Sequence, residues 1–350
     1  MAARNAEVIH YEGDASFGHE QYGCQDRTNY GTAATPTEAA VPMLTADIQV
    51  ETNWVRNEGV GAGVDTDTMY IAGRNASFSY SGEARYLACL GHVLANAYGG
   101  LVTTGESSPY THTFSGADFT ASATNSAHLQ PWTIAVSPGN FGESGNDAME
   151  ALGCVGSNLE LSGGAPGEAI QFKVDGIAKT VLAYTGGAVS SVLPSTRPMM
   201  FGEATWEIGF DEAAATTIYP ESWTFTSNLN LQNNRSTEQD ARFFDCGTVY
   251  PGKREQRLNI KVPIESDDYW DWLIGHSGTE SNYVAITGTF TDDTSTFTLA
   301  IAKAQIINWP MEETNGDVAP YYHELEIEPF DGCATLTIAN AEAGSTYVYA

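Results

Sequence analysis

A strand, a short helix, a long link and a returning strand occur twice in this chain, and that recurrence constrains its fold more than any other feature. The first copy runs from Phe78 to Val136. Ser77-Phe78-Ser79-Tyr80 alternates like a strand, and Ser81 is a fitting helix N-cap. Tyr86, Leu87, Leu90, Val93, Leu94 and Ala97 then fall at three- and four-residue spacing, which predicts a helix with one apolar face, ended by Gly99-Gly100. The returning strand is Trp132-Thr133-Ile134-Ala135-Val136. Late in the chain, Leu258 to Val262 leads into a second predicted helix, capped by Ser266, with Tyr269, Trp270, Leu273 and Ile274 on its apolar side and Gly275-His276 at its end. Phe297-Thr298-Leu299-Ala300-Ile301 then matches the earlier returning strand type for type. Between His92 and Trp132 lie 39 residues, against 20 between His276 and Phe297, so the first copy carries 19 more, Tyr110 to Phe114 among them. Two copies of one module account for this order; the alternative is one larger β domain whose strands share a composition.

Other stretches support an all-β class. Ala46, Ile48 and Val50 alternate with Asp47, Gln49 and Glu51, the period-two signature of a half-buried strand. Gly153 to Leu161 and Ala169 to Asp175 flank a glycine-rich tip at Gly163–Gly167, which predicts a hairpin. Trp223 to Leu231 alternates again, Ile306–Trp309 and Tyr322–Glu328 form a closing hairpin, and Ala334–Ile338 with Tyr347–Tyr349 supplies a last strand. The expected organisation is an N-terminal arm over 1–40 that orders on meeting a neighbour, a first module over 41–190, a connector over 191–221 and a second module over 222–350. The expected class is all-β with two short flanking helices, a β-sandwich or barrel in tandem.

Charge narrows the setting. Asp and Glu number 44 against 15 Lys and Arg, for a net charge of −29. Such a surface repels nucleic acid, and its self-repulsion is relieved when molar salt shrinks the Debye length to roughly 3 Å. Acidity spread along the whole chain points to a hypersaline cytoplasm. No apolar run follows Arg4, and no window has the ~18 apolar residues of a membrane span, so neither signal peptide nor membrane segment is expected. Cys24, Cys89, Cys154, Cys246 and Cys333 are scattered singly, which predicts free thiols, mostly small buried hydrophobes.

No catalytic, cofactor or metal site is legible. His19-Glu20 and His323-Glu324 lack the second His of a zinc-protease helix, and Ser144 misses the Gly-x-Ser-x-Gly elbow. Asp65 and Asp67 lack the rest of a calcium loop. Glu312-Glu313 and Asp267-Asp268 are acid pairs that 44 acids produce by number alone. His92 reads as structural, in the C-terminal half of its helix where a cation suits the dipole. Trp206, Trp223, Trp270, Trp272 and Trp309 either form a sugar-binding face or belong to the core, and their spacing favours the core.

The order of Phe78–Gly91, Tyr110-Thr-His-Thr-Phe114 and Trp132–Val136 resembles the tail tube proteins of long-tailed viruses. So do the Gly153-Cys-Val-Gly-Ser-Asn-Leu-Glu-Leu161 strand, the Trp223–Leu231 strand, the Gly252-Lys-Arg-Glu255 turn and Leu336-Thr-Ile-Ala-Asn340 with Tyr347. The resemblance spans residues 44 to 350; the arm matches nothing, and the acidity departs from bacterial members. It implies a virion structural protein, with no enzymatic activity and no cofactor, built of β-sandwich domains whose strands join into a continuous inner barrel. Six domains form a ring, and stacked rings form a conduit for DNA in transit. Two modules per chain imply a trimeric ring; one module implies a hexamer. The implied partners are further copies of the chain, a tail terminator, a tape measure and baseplate or tip proteins, with assembly in the host cytoplasm and no membrane. With the charge, the resemblance points to a tailed virus of a halophilic archaeon. The competing readings are a carbohydrate-binding, adhesin-like β-sandwich and, behind it, a salt-tolerant hydrolase.

Overall fold

The computed structural model describes residues 4–12, 14–21, 29–36, 43–56, 69–87, 89–118, 128–137, 148–165, 167–184, 197–210, 215–233, 249–263, 283–292, 294–308, 311–312, 322–330, 332, 334–343 and 347. In the first half the strands are β1 (Arg4–Glu12), β2 (Asp14–His19), β3 (Met43–Arg56), β4 (Met69–Glu83), β5 (Leu101–Thr104), β6 (Tyr110–Phe114), β7 (Trp132–Ser137), β8 (Met149–Gly163), β9 (Gln171–Ala178) and β10 (Thr180–Ala183). The second half adds β11 (Ala204–Phe210), β12 (Thr216–Ile218), β13 (Ser222–Asn228), β14 (Gln232–Asn233), β15 (Val249–Tyr250), β16 (Glu255–Pro263), β17 (Val284–Thr291), β18 (Thr296–Asn308), β19 (Met311–Glu312), β20 (Tyr322–Pro329) and β21 (Thr335–Asn340). One α-helix, α1 (Leu90–Ala97), lies among the described residues. The protein is predominantly β, and the strand pairings among the described residues are antiparallel.

Hydrogen bonding links these strands into one sheet that doubles back on itself, except β14 and β15, which pair only with each other. Its front section runs β1-β3-β4-β9-β8-β13-β16-β20. One back section is β2-β7-β8-β10, and the other is β12-β11-β17-β18-β21-β6-β5. The long strands β8 and β18 belong to both layers, because their two halves pair with different neighbours. Front and back meet through large aromatic side chains. Tyr80 of β4 stacks on Trp132 of β7 at 5.3 Å between ring centres, and Trp132 on Phe17 of β2 at 4.3 Å. In the second half Trp223 of β13 packs against Trp206 of β11 and Phe290 of β17, at 5.4 and 5.5 Å. One large apolar cluster runs through both halves, with two smaller ones beside it among the described residues. Burying a large side chain of this kind contributes about 1.5–3 kcal/mol, which is why the alternating positions dictate the layers.

The same wiring occurs twice. In the first half, β2 pairs with β7, β3 with β4, β4 with β9, β8 with β9, β7 with β8, and β10 with β8. In the second half, β11 pairs with β17, β13 with β16, β16 with β20, β18 with β20, β17 with β18, and β21 with β18. Irregularities recur at matching points. The β7–β8 ladder shifts between Trp132 and Ile134, and β17–β18 between Val284 and Ile286. The β8–β9 ladder shifts between Gly156 and Asn158, and β18–β20 between Ile306 and Asn308. By pairing, the counterpart of Trp132–Val136 is therefore β17, and Phe297–Ile301 corresponds to part of β8. The type-for-type match of Trp132–Val136 to Phe297–Ile301 joined strands one place apart.

Several local expectations change. Ser81 does not cap a helix: β4 stays extended through Glu83 because it pairs with β9 as far as Gln171. The helix begins instead at Leu90, and all eight of its residues are buried rather than one face alone. His92 thus stands near its start, not in its C-terminal half. Gly99 and Gly100 do end it, both at φ +73°. The arm over 1–40 contains two strands paired with β3 and β7 within the single chain. The connector over 191–221 contains β11 and β12. Phe297–Ile301 and the described part of Ile306–Trp309, read as separate strands, belong to one strand of 13 residues. The second expected helix lies outside the described residues.

Candidate assembly surfaces

The front section turns alternate residues away from the core. Burial alternates strictly along β13, and the same period-two pattern dominates β9, β16 and β20. The outward set is mostly polar and charged, with Asn158, Glu160 and Ser162 on β8, Thr224 and Thr226 on β13, Asn259 on β16 and Glu326 on β20, though Ile177 of β9 and Tyr322 of β20 share the face. Bases on this face lie beside carboxylates. Lys173 is 3.5 Å from Asp175, Lys261 is 3.1 Å from Glu221, and Arg257 contacts Glu326.

The two halves are joined in the front section by β8 and β13, with Trp223 opposite Gly163 and Asn228 opposite Asn158. Behind it, the extra segment of the first half crosses over: hairpin β5–β6 pairs with β21, from Phe114 opposite Leu336 to Tyr110 opposite Asn340. Buried polar groups fix this crossing. Gln256 Nε2 donates to the Tyr98 hydroxyl at 2.8 Å, and Tyr98 donates to the Ala334 carbonyl. Asn340 Nδ2 donates to the Tyr86 carbonyl at 2.9 Å and the Tyr347 hydroxyl at 2.7 Å. His112 bonds the Glu342 carbonyl through Nε2 at 2.8 Å and Thr103 through Nδ1 at 3.0 Å. These groups specify one relation between the halves, since any other would bury them unsatisfied.

The outer ends of the front section differ in kind. At the second-half end, β20 carries the tail of β18 and then β19, with Asn308 opposite Glu326 and Glu312 opposite Tyr322. The matching residues of β8, Asn158 to Ser162, pair with β13 on their other side. At the first-half end, β3 is the counterpart of β13, and β1 lies along it from Arg4 opposite Val55 to Glu12 opposite Asp47.

His92, read from the sequence as structural, is buried in the fold. His92 and His19 share a 2.9 Å hydrogen bond beside Phe17 and Trp132. Burial pushes His19 down to about 4; burial and then the neighbouring His19 push His92 down to about 3. Both are neutral imidazoles at pH 7, so His92 is no cation for a helix dipole. His323 is buried and lowered likewise. Glu20 is a group the sequence did not flag. It is buried, accepts from the Gly153 amide at 2.7 Å and the Thr133 hydroxyl at 2.9 Å, and burial raises it from 4.5 to about 7.

Among the described residues, no group of three or more His, Cys, Asp or Glu is arranged to hold a metal ion. Cys89 and Cys154 are free and buried, with burial pushing Cys89 up to about 12 and Cys154 well above 9, so neither is a ready thiolate nucleophile. Trp206 and Trp223 lie in the core and offer no face to a sugar. A cleft of about 470 Å³ at the β8–β13 seam brings Glu83 and Glu168 together with Gly163 and Trp223, without a histidine or cysteine in its lining. Cys24, Cys246, Cys333, Asp65, Asp67, Ser144, Asp267, Asp268, Trp270, Trp272, His276, Trp309 and Glu313 lie outside the described residues. No described helix is long and apolar enough to cross a membrane. Compared with known proteins, the chain matches no family model and no curated protein.

Proposed function

We propose that this chain is a structural subunit of a viral tail tube, with two tube modules in tandem, three chains to a ring and rings stacked into a conduit for DNA. The observation that carries the reading is the repeated wiring together with its junction. The first module hands the front section to the second through β8 and β13, and the second module ends in the counterpart of β8 while the first begins in the counterpart of β13. An interface of that head-to-tail kind generates a closed ring when its rotation closes, and closure removes exposed strand edges. The modules on this reading cover 41–190 and 222–350, and the stretch between them supplies the first strand of the second. The polar face of the front section lines the lumen, where paired bases and spare carboxylates let phosphate slide. The net charge of −29 suits assembly in a hypersaline host, so the source is a tailed virus of a halophilic archaeon. Its role is mechanical rather than catalytic, and its partners are further copies, a terminator, a tape measure and tip proteins.

Purified protein in molar KCl, viewed by negative-stain electron microscopy, is expected to form hollow rods or rings. Dispersed monomers that bind glycans would overturn the reading in favour of the adhesin-like sandwich. The burial of Trp206 and Trp223 already weighs against that alternative.

A further inference from the structure

We infer that strand β1 is a removable cap on the assembly edge: it holds, within the single chain, the place on β3 that the end of β18 and β19 of a second copy take in the ring. The inference rests on the ring reading above and goes beyond it. The repeated wiring gives the register. Asn158 and Asn308 are equivalent, each following the same ladder shift, opposite Asp175 and Glu326. On the other edge, Trp223 and Phe225 lie opposite Ile260 and Leu258, as Ala46 and Ile48 lie opposite Tyr80 and Phe78. Transferring the β8–β13 junction to two copies therefore puts Asn308 opposite Glu51, Met311 opposite Ile48 and Glu312 opposite Asp47. In the single chain those β3 positions face Val8, Tyr11 and Glu12 of β1. The two strands compete for one ladder.

Direction favours exchange over addition. Both β1 and β8 run antiparallel to the strand they cover. A second copy arriving in the direction of β8 would lie parallel to β1, and would stand one strand further out, about 4.8 Å, than at the internal junction. Displacing β1 keeps every junction around the ring the same and keeps the sheet antiparallel. Until a partner arrives, β1 also shields a long edge that would template aggregation. At the other end the tail of β18 awaits cover: Ile307 is 43% exposed, whereas its counterpart Ser157 accepts from the Leu229 amide at 2.8 Å and the Leu231 amide at 3.3 Å.

Two variants and the parent protein in molar KCl test this. Removal of residues 1–12 is expected to lower the concentration needed for half-assembly by about tenfold or more, because no cap has to be displaced. A cysteine pair at the opposed positions Ile9 and Val50 is expected to block assembly when oxidised and to permit it when a reductant opens the bond. Hydrogen exchange on the parent is expected to show amides of 4–12 losing protection on assembly while those of Asn308, Met311 and Glu312 gain it. Parent rings together with a locked variant that assembles equally well, or with β1 still protected, would overturn the cap and leave the tube reading standing. Failure of the parent itself to form rings or rods would overturn both.

Discussion

Glu20 and the His19–His92 pair place opposite demands on pH. Glu20 is raised in the fold from 4.5 to about 7 by burial, so the folded state prefers its protonated form. Its favourable term is complete below pH 4.5 and lost as pH rises through about 7, a change on the order of 3 kcal/mol. The histidines are lowered from 6.5 to about 4 and 3, so their term is complete above pH 6.5 and lost as pH falls through those values. Urea unfolding at constant molar KCl should find Glu20→Gln more stable than the parent at pH 8 and nearly equal at pH 4.5, because Gln still accepts from Gly153 and Thr133. His92→Gln should flatten the loss of stability between pH 6.5 and 4. Profiles parallel to the parent's would contradict both assignments. Neither site was visible in sequence. A His-Glu dipeptide at 19–20 says nothing of burial, which comes from β2 pairing with β7 and from the approach of α1.

At the scale of elements, the helix carrying Gly91-His92 is a tight point of packing. A Cβ on Gly91 would stand 2.3 to 2.7 Å from ring atoms of Tyr347, itself held by Asn340 and Glu342. Gly91→Ala should therefore cost about 1–3 kcal/mol by overpacking. Gly202→Ala, where a Cβ meets nothing within 4 Å, is the control and should be close to neutral. Equal stability of the two variants in thermal or urea unfolding would contradict the packing. Much of the element order could be read from residues: alternation marks β3, β6, β9, β13, β16 and β20 because one face of each is buried. What could not be read depends on partners. The end of β4 is fixed by β9 rather than by the cap chemistry of Ser81, and β1 and β2 owe their place to β3 and β7. A five-residue match cannot tell β17 from β18, since both satisfy the same alternation; only the ladders separate them.

For the molecule as a whole, the surfaces that matter on this account are backbone edges, and edges have no residue signature. The chain advertised a repeat but could not say which strand ends the front section, nor that β1 covers its beginning. Charge does act at this scale. With −29 on each chain, the concentration for half-assembly should fall steeply from about 0.1 M to molar KCl, as the Debye length shrinks from ~10 Å to ~3 Å. Light scattering across a salt series checks this, and a flat response would contradict an assembly limited by self-repulsion. The central claim is two modules per chain and three chains per ring. End-on views of rings assembled in molar KCl, averaged without imposed symmetry, test it most directly. The account predicts a hollow ring of six similar lobes with only three-fold symmetry, alternate lobes differing where hairpin β5–β6 reaches β21. Six chains around a true six-fold axis, or no ring, would contradict it.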